Sequence, residues 1–159
     1  MSKIIIGIDP GLADTGYGLI EKGKGGKITC LAYGSIKTKA GLPIAERLEI
    51  LNIELEKIIK KYQPALAAVE ELFFQNNAKT AITVGQARGV ILLTCRKNKI
   101  PIAELTPLQV KQTISGYGRA DKMQVQKMVK LLLNLKEIPR PDDAADALAI
   151  AISATNEIK

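Results

Sequence analysis

Lys3-Ile4-Ile5-Ile6-Gly7-Ile8-Asp9-Pro10-Gly11 begins the chain with an almost unbroken apolar run that stops at an acid and a turn signal. A run without polar alternation suits a strand buried on both faces, and the Pro-Gly that follows puts Asp9 at that strand's end. Residues 15–21 (Thr-Gly-Tyr-Gly-Leu-Ile-Glu) read as a second strand, with Lys22-Gly23-Lys24-Gly25-Gly26 as a hairpin turn. In 27–37, Ile28, Cys30, Ala32, Gly34 and Ile36 alternate with Thr29, Leu31, Tyr33, Ser35 and Lys37, which predicts a third strand with the first set on one face. Three strands in succession suggest an antiparallel meander.

Beyond Pro43 the period becomes helical: Ile44, Leu48, Leu51, Leu55, Ile58 and Tyr62 recur at spacings of three and four, and Pro64 follows. Ala65-Leu66-Ala67-Ala68-Val69 then runs as a short strand into Glu70-Glu71, and a helix is expected over 79–97. A fifth strand is expected from Pro101 to Leu105, with helices near 107–114 and 121–133 and from Asp143 to the end. The order predicts an α/β fold: a five-stranded mixed sheet, three strands antiparallel and then parallel ones, flanked by helices. Ligands of such sheets gather at the carboxyl ends of the parallel strands.

With 159 residues, 47% of them apolar, the chain suffices for one core and not for two, so a single domain over 1–159 is expected. No repeat or low-complexity stretch interrupts it. The first apolar run is too short for a secretory h-region or a membrane span, and Cys30 and Cys95 lie in apolar stretches without a C-x-x-C partner. A reduced, cytoplasmic protein is the expectation. The formal net charge of +7 suits a polyanionic partner. A histidine count of zero removes the commonest general base and nitrogen ligand, so hydrolytic chemistry here must use carboxylates, lysine or a thiol.

Asp9 and Glu70 both fall where an apolar strand ends, and Asp143 and Asp146, three apart, share a face of the last helix. Ala144, Ala145 and Ala147 through Ala151 keep that helix small or apolar, so it can lie close to the sheet and bring four carboxylates together. Each acid also has a plain structural reading: Asp9 as a turn former, Asp142 or Asp143 as a helix cap, Glu70 or Glu71 as a solvated loop acid. Two unit charges about 5 Å apart repel by roughly 3 kcal/mol at an effective dielectric near 20, so a true cluster needs protons or cations. Oxygen donors without imidazole select Mg²⁺, with Mn²⁺ as a substitute, and two such ions can carry phosphodiester hydrolysis.

Ile6-Gly7-Ile8-Asp9-Pro10-Gly11, Val69-Glu70-Glu71-Leu72-Phe73, Gly85-Gln86-Ala87-Arg88-Gly89, Gly118-Arg119-Ala120-Asp121-Lys122 and Asp142-Asp143-Ala144-Ala145-Asp146-Ala147-Leu148-Ala149 resemble, in order, motifs of the RuvC family of Holliday junction resolvases. The resemblance spans essentially the whole chain. It implies an RNase H-like fold and a homodimer that nicks two opposed strands of a four-way DNA junction with Mg²⁺, alongside branch-migration machinery of the RuvA and RuvB type. By motif position the catalytic, metal-binding acids are Asp9, Glu70, Asp143 and Asp146, with Asp142 and Glu71 outside the pattern. Some family members carry histidine where this chain has Asp143. Lys111 and Lys122 match basic residues placed beside the scissile phosphate; flanking Gly116-Tyr117-Gly118-Arg119, they read as a phosphate clamp, with a solvated helix face as the plain alternative, and Arg119 is expected to bind DNA. Phe73 matches a position that stacks on an unpaired base, leaving Phe74 for the core. Ala81, Gly85 and Gly89 clear a strip along one helix, which suits intrachain packing or, as the family's dimer implies, the twofold interface.

Three other readings compete. Sugar kinase and actin-like proteins also begin with a strand ending in Asp and Gly, but need two lobes. An RNase H-like nuclease of RNA or RNA–DNA hybrids would use the same acids, and a non-catalytic nucleic-acid-binding module would use the same charge.

Overall fold

The computed structural model describes residues 1–71 and 77–158. Strands β1 (Lys3–Asp9), β2 (Asp14–Lys22) and β3 (Ile28–Lys37) are followed by helix α1 (Ile44–Tyr62), β4 (Leu66–Glu70), α2 (Ala78–Lys97) and β5 (Ile102–Leu105). Helices α3 (Pro107–Ser115), α4 (Lys122–Leu132) and α5 (Asp142–Ser153) complete the chain, with a 3₁₀ turn at Ala154–Asn156. The sheet order is β3-β2-β1-β4-β5. Strand β1 pairs antiparallel with β2 and parallel with β4, β2 antiparallel with β3, and β4 parallel with β5. This is the mixed sheet expected from the sequence.

Central position explains the apolar run of β1: Ile5, Ile6 and Ile8 are fully buried because helices cover both faces. One face carries Ile5, Ile20, Leu66, Ala68 and Leu105 against α3, α4 and α5. The other carries Ile6, Ile8, Leu19, Ala67 and Val69 against Leu51, Leu55 and Ile59 of α1 and Ala87, Ile91 and Cys95 of α2. No helix among the described residues is long and apolar enough to cross a membrane.

Three local expectations are corrected. Ile28, Cys30, Ala32 and Ile36 do not share one face of β3. The register shifts opposite Leu19 and Ile20, so Ala32 pairs with Leu19 while Cys30 pairs with Ile20, and Leu31 is the extra residue. A bulge inserts one residue and so exchanges the faces: Ile28 and Cys30 pack on the α5 side, Ala32 and Ile36 on the α1 side. At the start of α1, Ile44 is exposed, and Ile59 fills the buried row with Leu51 and Leu55. The last helix starts one residue earlier than expected, at Asp142, and stops at Ser153. Its N-cap is Pro141, so neither Asp142 nor Asp143 caps it, and both sit in its first turn, where helix N-terminal charge favours acids.

Candidate active site

Strand parity directs the first two acids. Ile5 and Leu66 face α5, so two-residue alternation turns Gly7 and Asp9 of β1, and Ala68 and Glu70 of β4, the same way. The parallel register runs from Ile5 opposite Leu66 to Ile8 opposite Val69, which leaves Asp9 and Glu70 side by side one step further on.

Close approach of α5 supplies the other two. Asp9 pairs with Gly16 on β2, and a Cβ on Gly16 would run into the main-chain oxygen of Asp143. A Cβ on Gly7 would meet the Ala147 oxygen, and one on Gly18 would come within 2.7 Å of the Leu148 nitrogen. Glycines on the strands and alanines on the helix therefore let α5 backbone rest directly on sheet backbone. One carboxylate oxygen each from Asp9, Asp143 and Asp146 consequently lies within 4.8 Å of the others. Glu70 lines the same cleft, of about 250 Å³, together with Asp9, Asp146, Lys111, Lys122, Pro107, Val110, Val125 and Ala149.

Electrostatics in the cleft are those of crowded acids with few counter-charges. Burial, then the charges of Glu70, Asp146 and Asp143, push the Asp9 carboxyl up to about 8, with Lys122 pulling the other way. Burial and the charge of Asp146 push Glu70 up to about 7 against the pull of Lys111 and Lys122. Burial likewise holds Asp146 above the ordinary range, although Lys122 Nζ lies 3.2 Å from its Oδ2. Burial works against the Lys122 ammonium, yet Asp146, Asp142 and Asp143 keep it protonated above the usual lysine value. A divalent cation fits this donor set: three hard oxygens, no nitrogen or sulfur, and more negative charge than Lys111 and Lys122 offset.

The loop that carries the chain away from Asp9 is pinned. Thr15 Oγ1 donates to the Gly11 oxygen, Thr38 Oγ1 donates to the Leu12 oxygen, and Arg47 Nε donates to Thr38 Oγ1 at 2.9 Å. Across the cleft, capping boxes start both lysine-bearing helices: Thr106 with Gln109 for α3 and Asp121 with Gln124 for α4. Lys122 thus leaves the first turn of α4 and Lys111 the second turn of α3, both into the cleft that holds the acids.

Of the remaining expected residues, Arg119 is exposed on the α3–α4 connection and does not line the cleft. Asp142, read as outside the acid set, pairs with Arg140 and lies 3.8 Å from Lys122. Phe73 and Phe74 lie outside the described residues. Sequence reasoning missed the seat formed by Gly7, Gly16 and Gly18; its signal was glycine at two-residue spacing on the face that bears Asp9. It also missed Arg88, whose Nε donates to the Glu70 main-chain oxygen at 3.1 Å.

A β3-β2-β1-β4-β5 sheet with acids at the ends of β1 and β4 and a helix laid across it defines an RNase H-like protein. The family described as crossover junction endodeoxyribonuclease RuvC matches residues 5–154. A relative of that name from Caldicellulosiruptor saccharolyticus is 60% identical over 148 residues, covering 93% of this chain and 89% of the relative. Another, from Halothermothrix orenii, is 57% identical over 156 residues, covering 98% and 94%. Among solved structures, Thermus thermophilus RuvC in complex with a Holliday junction substrate superposes with a TM-score of 0.90 at 36% identity, covering 95% of this chain and 92% of that one. The chain belongs to the RuvC family of crossover junction endodeoxyribonucleases.

Proposed function

We propose that this chain is a single-domain, Mg²⁺-dependent endonuclease that resolves four-way DNA junctions by paired, symmetric nicks during recombination and repair. The observation that carries the reading is the meeting of Asp9, Asp143 and Asp146 within 4.8 Å in a chain whose relatives bear that activity in their name. Asp9, Glu70, Asp143 and Asp146 hold the cation, which we take to be Mg²⁺, replaceable by Mn²⁺ and present as two ions. Bound divalent cations supply activation of the attacking water and charge for the leaving oxygen.

The chain's own groups do the rest. Burial and mutual repulsion raise the proton affinity of Asp9 and Glu70 in the metal-free cleft, and a bound cation would displace those protons. Lys122 pairs with Asp146 at 3.2 Å, and its ammonium would turn to the scissile phosphate were that carboxylate to hold a cation. Lys111, on the opposite lip, holds the same phosphate group from α3, while Arg119 contacts the DNA backbone further out. Phe73 stacks on a base at the crossover.

A twofold homodimer presents two such sites to the two opposed strands. Support comes from α2, where Ile82 and Leu93 are exposed at 63% and 60% and open space surrounds the position of a Cβ on Gly89. The enzyme acts in the cytoplasm, where Cys30 and Cys95 stay as thiols, and works on family grounds with branch-migration machinery.

The test is a substrate panel with Mg²⁺: four-way junction, plain duplex, flap and RNA–DNA hybrid. Preferential junction cutting, lost in Asp9→Asn while junction binding survives, is the expected result. Preference for the hybrid would overturn the substrate, and binding without any cleavage would leave a non-catalytic module.

A further inference from the structure

Arg88 stands apart from the cleft but grips its wall. It projects from α2 between the buried residues Ala87 and Ile91, and its side chain is only 16% exposed. Its Nε donates to the main-chain oxygen of Glu70, and Nη2, on the same edge of the guanidinium, pairs with the Glu104 carboxylate. Glu104 lies opposite Val69 in the β4–β5 register, and Leu105 lies opposite Glu70. One planar fork thus ties together α2, the last residue of β4 and the neighbouring strand β5.

We propose that Arg88 is a positioning residue for metal binding and cleavage: it fixes the main chain at Glu70, and through it the direction of that carboxylate, relative to helix α2. The inference rests on the reading of Glu70 as a cation ligand. A strand end has lost the ladder on one side, so without a fixed donor at the Glu70 carbonyl its Cα–Cβ bond can swing. A carboxylate about 1 Å out of place is a poor ligand for an ion that demands strict geometry. The Arg88 guanidinium pairs with Glu104 and does not line the cleft, where Lys111 and Lys122 are the basic side chains. It works through position alone.

The experiment measures Mn²⁺ binding to the full chain by electron paramagnetic resonance, junction affinity without divalent metal, and junction cleavage with Mg²⁺. Arg88→Gln is expected to weaken Mn²⁺ binding and slow cleavage by about tenfold or more, as loss of an orienting partner does, with junction affinity unchanged. Arg88→Lys, which keeps the charge and the fold but not the fork, should fall between. Glu104→Gln leaves the bond to Glu70 intact and should change Mn²⁺ binding by less than about twofold. In a Glu70→Gln background, Arg88→Gln should add nothing. Parental Mn²⁺ affinity in both Arg88 variants, an effect of Glu104→Gln as large as that of Arg88→Gln, or additivity with Glu70→Gln would each overturn the proposal while leaving the nuclease reading intact. Failure of Asp9→Asn to weaken Mn²⁺ binding in the parent would instead remove the metal site, and with it both readings.

Discussion

Asp9 shows how one residue couples stability to chemistry. Its folded-state pKa of about 8 lies above the ordinary aspartate value of 3.8, so the metal-free folded chain keeps a proton that the unfolded chain has released between those values. The stability contributed is therefore full below the unfolded value and is lost as pH rises towards 8. Metal-free protein should show a Tm that falls from pH 5 to pH 8. Asp9→Asn, which cannot ionise, should flatten that slope and raise Tm by about 5 °C at pH 8. Mg²⁺ should raise the Tm of the parent but not of Asp9→Asn, by linkage to binding of the folded state alone; equal Mg²⁺ shifts in the two would remove Asp9 from the metal site. Because the cation must displace protons from Asp9 and from Glu70, held near 7, cleavage at subsaturating Mg²⁺ should increase between pH 6 and pH 8.5. Lys122 carries a second residue-level prediction. Lys122→Ala should weaken junction binding and lower the slope of log affinity against log salt by about one; filter binding over a salt series measures it, and an unchanged slope would mean that the ammonium meets no phosphate.

Two elements, β2 and α5, are matched by what their residues lack. Gly16 and Gly18 leave room on β2, Ala147 and Ala151 keep α5 slim, and the helix settles until Asp143 lies beside Asp9. Gly16→Ala places a methyl group against main chain that cannot rotate away, so α5 must shift. Denaturant unfolding should register a loss of about 1–3 kcal/mol, the usual cost of overpacking. Cleavage should suffer far more than junction binding, since the lysines on α3 and α4 keep their places. A variant that lost stability yet cut at the parental rate would show that the spacing of Asp143 from Asp9 is not critical. The bulge in β3 is the opposite case. Leu31 is an extra residue, and it lets an edge strand feed Cys30 to one core and Ala32 to the other.

At the scale of the whole molecule, paired nicking depends on two copies facing one junction. Replacing exposed Ile82 and Leu93 of α2 by aspartate should convert a dimer into a monomer in light scattering. The monomer should nick one strand of a junction without linearising a cruciform plasmid; a dimer that persists would place the interface elsewhere. Much of this protein was legible in its linear sequence. Apolar runs, turn signals and, for α1, a period of three to four residues placed the five strands and five helices of the described residues, because burial on both faces or on one leaves a compositional signature. The acids at the ends of β1 and β4 were legible for the same reason: a charge that stops an apolar run marks a strand end. Tertiary structure alone decided the rest. The register of β1 against β2 set Asp9 opposite Gly16, the glycine seat set the depth of α5, and Arg88 met Glu70 across 18 positions of sequence. Each depends on the distance between two backbones, a quantity that no single segment carries.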